Sequence, residues 1–191
     1  MPGAIWTATR ITSNAAEKFQ LNSGILVKNF NIGNPTQPDD EDILFDTTGD
    51  FSFTNQPTTH NLFEGVNNAP TNIKEGLIID DWTNTLTITA LSVTLDSLKS
   101  ALGAADIEGT DGVRGRMAFA SSDFQTLTWI GDMAGKTKLL AIQLENAVST
   151  GGITFSATDR GKGGISLTFT AFFSLADIEK VPMAFYILEK A

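Results

Sequence analysis

Apolar and hydroxyl residues alternate strictly along several stretches of this chain. From Trp82 to Ala90, the threonines Thr83, Thr85, Thr87 and Thr89 alternate with Trp82, Asn84, Leu86, Ile88 and Ala90. From Ile165 to Phe173, Ser166, Thr168 and Thr170 alternate with Ile165, Leu167, Phe169, Ala171 and Phe173. Ile153 to Thr158 repeats the pattern. A period of two puts one set on each face of a half-buried antiparallel strand. Gly24 to Ile32, Phe51 to Asn55, Leu127 to Gly131, Thr137 to Glu145 and Ala184 to Leu188 complete the expected strands. Gly151-Gly152 and the glycines of Gly161 to Gly164 supply turn chemistry between the late strands.

One segment has helical spacing instead. Leu95, Leu98 and Leu102 recur at steps of three and four, with Thr94 placed to N-cap and Gly103 to stop the helix. The expectation is a short one-sided helix lying on the sheet. Two segments read as loop: Asn34 to Asp42, with two prolines and the run Asp39-Asp40-Glu41-Asp42, and Asn55 to Lys74, rich in Asn, Pro and Thr. Loops of that length in a compact domain are usually functional. The outward strand positions are mostly Thr and Ser, where an open sheet face usually mixes Lys, Glu and Arg. High strand propensity explains threonine in part; a face that meets other subunits or lines a channel is the second explanation.

Length and charge narrow the picture. A chain of 191 residues is one domain by size and needs no metal or disulfide staple. It has no cysteine, which removes disulfides, thiolate zinc sites and cysteine nucleophiles. The net charge is −9, and residues 1–96 carry 12 acids against 4 bases. No basic cluster is longer than Arg160-Gly161-Lys162, so a nucleic-acid grip is not expected. The opening stretch lacks the apolar run of a secretory leader, and no apolar run approaches the ~20 residues of a membrane span.

Candidate chemistry is sparse. Gly131 to Thr137, GDMAGKT, resembles a phosphate loop, but the spacing places Ile130 where the first glycine must stand, so a hairpin turn is the expectation. His60 is the only histidine and lies in the long loop, and no G-x-S-x-G elbow exists. Asp39 to Asp42 lacks the alternating ligands and mid-loop glycine of an EF-hand. Trp82 and Trp129 read as core or interface residues. No catalytic residues, metal site or cofactor are assigned.

Several of these segments resemble the major tail proteins, the tail tube subunits, of long-tailed siphovirus-type phages of Gram-positive hosts. The matching stretches are TTGDFSF (Thr47 to Phe53), EGVNNAPTNIKE (Glu64 to Glu75), LGAADI (Leu102 to Ile107), Asp123-Phe124 and WIGD (Trp129 to Asp132). IQLENAVSTGGITF (Ile142 to Phe155), DRGKGGISLTFTAFFSL (Asp159 to Leu175) and KVPMAFYI (Lys180 to Ile187) follow in order. Val66 and Thr128 depart from the pattern.

The resemblance implies a mainly β fold, an antiparallel β-sandwich or split barrel with one flanking helix and long loops. It divides the chain into an N-terminal arm, residues 1–23, and a tube domain, 24–191, that includes a long loop over about 46–74. It implies a structural virion protein rather than an enzyme. Hexameric rings would stack into a tail tube that conducts double-stranded DNA without adhering to it. Partners would be other copies and the tail terminator, tape measure and distal tail proteins. The location would be the virion tail, after assembly in the host cytoplasm and with no membrane insertion.

Ring-to-ring contact would fall to the arm and the long loop, with Asp46, Asp50, Phe51, Phe53, Asn55, His60, Phe63, Glu64, Asn67 and Asn68 as candidates. Ser166, Thr168 and Thr170 are the lumen-face candidates. The alternatives are the inner tube of a contractile tail or tail-derived bacteriocin, and a β-sandwich carbohydrate-binding or adhesion module.

Overall fold

Alternation becomes strand wherever one face finds a core to cover. The computed structural model describes residues 20–70, 72–90, 93–133, 137–156 and 164–190. Nine strands and one helix follow along the chain: β1 (Gln20–Lys28), β2 (Ile43–Asn61), β3 (Leu77–Ala90), α1 (Leu95–Leu102), β4 (Ala105–Glu108), β5 (Gly112–Gly115), β6 (Gln125–Met133), β7 (Lys138–Ser156), β8 (Gly164–Ala171) and β9 (Met183–Glu189). The expected mainly β, antiparallel architecture with one helix is what is found. The arm lies outside the described residues up to Gln20.

The large sheet has the order β6-β1-β2-β3-β8-β7-β9, and β6 also pairs with β7. Six strands therefore close on themselves as a barrel. The first half of β7 pairs with β6 and β9, and its second half pairs with β8. β8 and β9 thus share one edge of β7, end to end, which splits the barrel wall.

The interior is filled by the apolar half of each alternation. Leu26, Phe45, Leu86, Ile88, Leu127, Trp129, Leu144, Leu167 and Phe169 are all buried. Each aliphatic side chain among them contributes roughly 1.5–3 kcal/mol. Trp129 is 0% exposed and stacks on Phe51 at 3.9 Å. Gly24 is required opposite it: a Cβ there would lie 2.4 Å from the Ile130 carbonyl oxygen and 2.6 Å from the Trp129 ring. A second apolar cluster lies on the other face of these strands, built from Val27, Ile130 and Ala141 with Ile25, Phe30, Leu139, Tyr186 and Leu188.

α1 starts as its sequence predicts. Thr94 Oγ1 accepts from the Ser97 N–H at 3.1 Å, and Ser97 Oγ accepts from the Thr94 N–H at 2.7 Å, forming a capping box. Gly103 ends the helix at φ 76°. The buried stripe is Ser97 and Ala101, however, while Leu95 and Leu98 are half-buried and Leu102 is exposed. Small side chains let the helix backbone approach β7 closely. The β4–β5 hairpin packs beside it. Arg116 then ties this region together, pairing with Asp106 at 2.8 Å and with the buried Asp123 at 2.6 Å.

Four expectations about boundaries and turns are corrected. Residues 55–61 are strand rather than loop, because every residue from Phe51 to Asn61 finds a cross-strand partner in β3. The long loop of 46–74 is therefore the distal part of a hairpin, with irregular chain only between Asn61 and Leu77. The strand expected over Ile153 to Thr158 is not separate: Ile153 to Ser156 is the end of β7, and residues 157–158 lie outside the described residues. Gly151-Gly152 forms no turn: it sits in a bulge between Ser149 and Ile153, where Gly152 adopts φ 68°. The first expected strand ends earlier, at Lys28, because Asn29 takes φ 53°. On either side of GDMAGKT, β6 and β7 are antiparallel neighbours, with Asp132 opposite Leu139, while residues 134–136 of the expected turn lie outside the described residues.

Candidate functional site

β2, β3, β8 and the second half of β7 lie side by side as one four-stranded wall. Its inner face carries Phe51, Phe53, Leu86, Ile88, Leu167 and Phe169. Its outer face is made of hydroxyls. Ser52, Thr87 and Thr168 stand in one row across the strands. Thr54, Thr85 and Thr170 stand in the next, and Thr89, Ser166 and Thr154 in a third. Thr87 and Thr168 share a hydrogen bond at 3.0 Å, and Thr150 and Thr170 another at 2.7 Å. None of these nine positions carries a charge, and exposed Asp50 adjoins the third row at the β2 bulge. The three residues singled out in β8, Ser166, Thr168 and Thr170, are thus one strand of a hydroxyl surface three strands wide and more.

Among the described residues no strand continues either margin of this wall, although the end of α1 at Gly103 lies against Val148 and Ser149 of β7. β1 pairs with β2 only from Ile43 to Asp46, so from Phe51 to His60 no described strand pairs with that edge of β2. β6 pairs with β7 only as far as Ala147, so from Val148 to Ser156 no described strand pairs with that edge of β7. An unpaired edge presents a row of backbone donors and acceptors, a template for another strand. The two margins belong to strands that run in opposite directions. The edge of β7 in one copy therefore meets the edge of β2 in another in antiparallel sense when both copies point the same way.

The hairpin of β2 and β3 continues beyond the barrel as a two-stranded ribbon. Asn55 and Asn84 pair at its base through their side-chain amides. His60 Nδ1 lies 2.6 Å from Asp80 Oδ1 near its end. At the tip, Asn61 Oδ1 accepts from the Phe63 N–H at 2.9 Å, the Phe63 ring covers Gly76, and Asn68 adopts φ 62°. Glu64 and Asn67 are exposed in the same turn, and Asp46 and Asp50 are exposed nearer the barrel. Apart from Asp46 and Asp50, the proposed contact candidates thus fall into two groups. Asn55, His60, Phe63, Glu64, Asn67 and Asn68 line the ribbon. Phe51 and Phe53 instead turn inward, Phe51 against Trp129 and Phe53 against Phe185 at 5.4 Å, because period two places them on the core face.

The ribbon holds residues that pattern reading passed over. Leu62, Val66, Leu77, Ile78 and Ile79 are large, apolar and exposed there, Leu77 by 59%. The signal was Leu77-Ile78-Ile79, a continuous apolar run where a one-sided strand would alternate. Phe155, Phe172 and Phe185 are exposed too, so the aromatics do not all turn inward. Trp82 is half-buried at the ribbon base. Among the described residues, no helix is long and apolar enough to cross a membrane. Comparison of the chain with protein-family models and with curated proteins finds no match.

Proposed function

We propose that this chain is a tube-forming structural subunit, the major tail protein of a long-tailed phage, whose copies close into rings and stack as a conduit for DNA. The observation that carries the reading is the four-stranded wall with a hydroxyl face that lacks lysine and arginine and, among the described residues, an edge on either side that no strand pairs with. Four strands alternate in direction, so copies joined head to tail continue one antiparallel sheet across every seam. Such heterologous contacts close into a ring when the rotation allows.

Taking six copies, as the sequence resemblance implies, twenty-four strands spaced at ~4.8 Å give a circumference of roughly 115 Å and a backbone diameter of at least about 37 Å. With the hydroxyl face inward, the channel offers DNA hydrogen-bonding groups but no cations. Lysine or arginine there would hold phosphates with a strong salt-dependent affinity. The apolar ribbon tip supports contact between rings, since exposed apolar patches mark interaction surfaces.

Electron microscopy of the concentrated protein, alone and seeded with preformed tube fragments, tests the reading. Rings or hollow filaments are expected. A chain that stays monomeric with seeds present, and is retained on immobilised glycans, would refute the tube and favour an adhesion module.

A further inference from the structure

The two margins of the wall carry an apolar match on the face opposite the hydroxyls. Phe155, near the end of the β7 margin, stands opposite the buried Ile165, and cross-strand partners share a face, so Phe155 belongs to the core side. It is nevertheless 64% exposed, because the β7 edge from Val148 to Ser156 has no strand beside it among the described residues. At the other margin, Phe53 of β2 turns to the same core side and meets Phe185 of β9, ring centres 5.4 Å apart. Phe185 is 54% exposed, and Ile187, on the same face of β9 by period two, is 63% exposed.

We propose that Phe155 of one copy packs against Phe53, Phe185 and Ile187 of the next and anchors the seam between them; the inference deepens the ring reading above and rests on it. Within one copy these groups stay apart. β7 and β2 are separated by β8 and β3, three strand spacings or roughly 14 Å. Across a seam the edge that holds Phe155 adjoins the edge that holds Phe53, and the two become neighbours.

The pairing pattern limits what can lie level with Phe155. The core-side positions along the β2 edge are Phe51, Phe53 and Asn55, whose partners Ile88, Leu86 and Asn84 are buried. Phe51 is already stacked on Trp129, and Asn55 is bonded to Asn84. Phe53, with its exposed neighbours on β9, is the apolar opening that remains. Register agrees in size. In its own copy the row of Phe155 runs through Ile165 and Ala90 to Thr47, a bulged stretch before Phe53. Barrel strands tilt by roughly 35–45°, which offsets successive four-stranded copies along the seam by roughly 13–19 Å. An offset of that size brings Phe155 level with Phe53. A large aromatic ring in an apolar opening is the kind of contact that dominates an interface.

Phe155→Ala in the full-length chain tests the anchor. The free subunit should melt as the parent does, since the ring is exposed there. The critical concentration for seeded filament growth should rise at least about tenfold. Phe155→Leu should recover part of the loss, and Ile178→Ala, 65% exposed but outside the wall, should leave growth unchanged. The chain has no cysteine, so disulfide trapping reads the same contact without filaments. Chains carrying Phe155→Cys and Ile187→Cys are mixed under mild oxidation, with Thr110→Cys replacing the second as control. A disulfide between chains is expected in several-fold higher yield than with the control. An unchanged critical concentration overturns the anchor, and so does a yield equal to the control. Normal filaments with a control-level yield sink this inference and leave the tube reading standing; trapped pairs from a chain that never forms rings do the reverse.

Discussion

Removing the ribbon separates what folds the subunit from what joins it to its neighbours. Asn55 and Asn84 already face each other across the ladder, so replacing residues 56–83 by Asn-Gly closes the hairpin with a two-residue type I′ turn. None of the buried apolar core lies in the deleted stretch. The large half-buried side chains lost are Ile73 and Trp82, and only Trp82 stands at the barrel end. Losing half the burial of one such side chain costs about 1 kcal/mol. Shortening the connection returns up to about 2 kcal/mol of closure entropy. A two-stranded ribbon is itself marginal in water, so its own pairing adds little to the barrel.

The net change is expected within about 2 kcal/mol, a shift in Tm of no more than roughly 8 °C for a domain of this size. Assembly should respond very differently. Leu62, Phe63, Val66, Leu77, Ile78 and Ile79 are 38–59% exposed, and covering them at a contact is worth roughly 1 kcal/mol each, about 6 kcal/mol per subunit. That is more than a thousandfold in each contact, repeated around every ring. Thermal melts, sedimentation velocity and seeded electron microscopy read the two halves separately. A folded monomer that forms no filaments is the expected result. Filaments indistinguishable from those of the parent would refute the ribbon as the contact between rings, and an unfolded product would refute the independence of the barrel.

Four further changes probe other parts. Changing Ser166, Thr168 and Thr170 together to lysine should slow DNA release from assembled tails, more at low salt than at high, because the added phosphate contacts are screened; release rates independent of salt would count against an inward hydroxyl face. Asp123→Ala leaves the Arg116 guanidinium without a partner whose side chain is 1% exposed and should cost about 3 kcal/mol in urea unfolding, with Arg116→Met in the same chain recovering part of the loss. Gly24→Ala forces a methyl group against the Ile130 carbonyl and the Trp129 ring, costing roughly 1–3 kcal/mol and changing the near-ultraviolet signal of Trp129. The Lys180 ammonium donates to Glu145 at 2.7 Å, and that bond and the carboxylate charge raise its pKa above the ordinary 10.5. The pair's stabilisation is thus complete below the unfolded value and is lost as pH rises through the higher folded one, so Lys180→Met should flatten the alkaline limb of the stability profile.

Pattern reading succeeded where one physical rule acts locally. Thr83 to Thr89 and Ser166 to Thr170 announced their strands and their shared face, and Thr94 and Gly103 bounded the helix. It failed where pairing overrides composition. Asn55 to Asn61, with proline and threonines in a polar context, reads as loop, yet β3 supplies a partner at every position. Gly151-Gly152 has the composition of a turn and becomes a bulge, because β8 continues opposite both sides of it. The unpaired edges were beyond the reach of pattern, since an edge is defined by where a neighbour's pairing ends, and β1 parting from β2 at Asp46 leaves no mark on the sequence of β2. The second apolar cluster was equally hidden, for Ile25 and Leu188 share one face only because β6 and β7 pair side by side between β1 and β9.

Open edges pose a problem that the same strands answer. A long apolar margin would pair with any exposed strand, and a slip of one residue would exchange the two faces of the wall. In the seam, such a slip would bring Ile153 and Phe155 of one copy level with Ser52 and Thr54 of the next, placing aromatic surface beside hydroxyls. That register is disfavoured twice over. It strands the 64% exposed Phe155 against a polar row, and it clashes with the irregularities that interrupt both margins, between Thr58 and Thr59 in β2 and between Ser149 and Ile153 in β7. Bulges twist an edge and break its regular run of donors and acceptors, so a flat foreign strand finds few bonds there. A net charge of −9 adds repulsion between free copies. Under the tube reading, the margin is thus open in a way that only a partner with a matching bulge and matching faces satisfies, and the best-matched partner is another copy of the same wall.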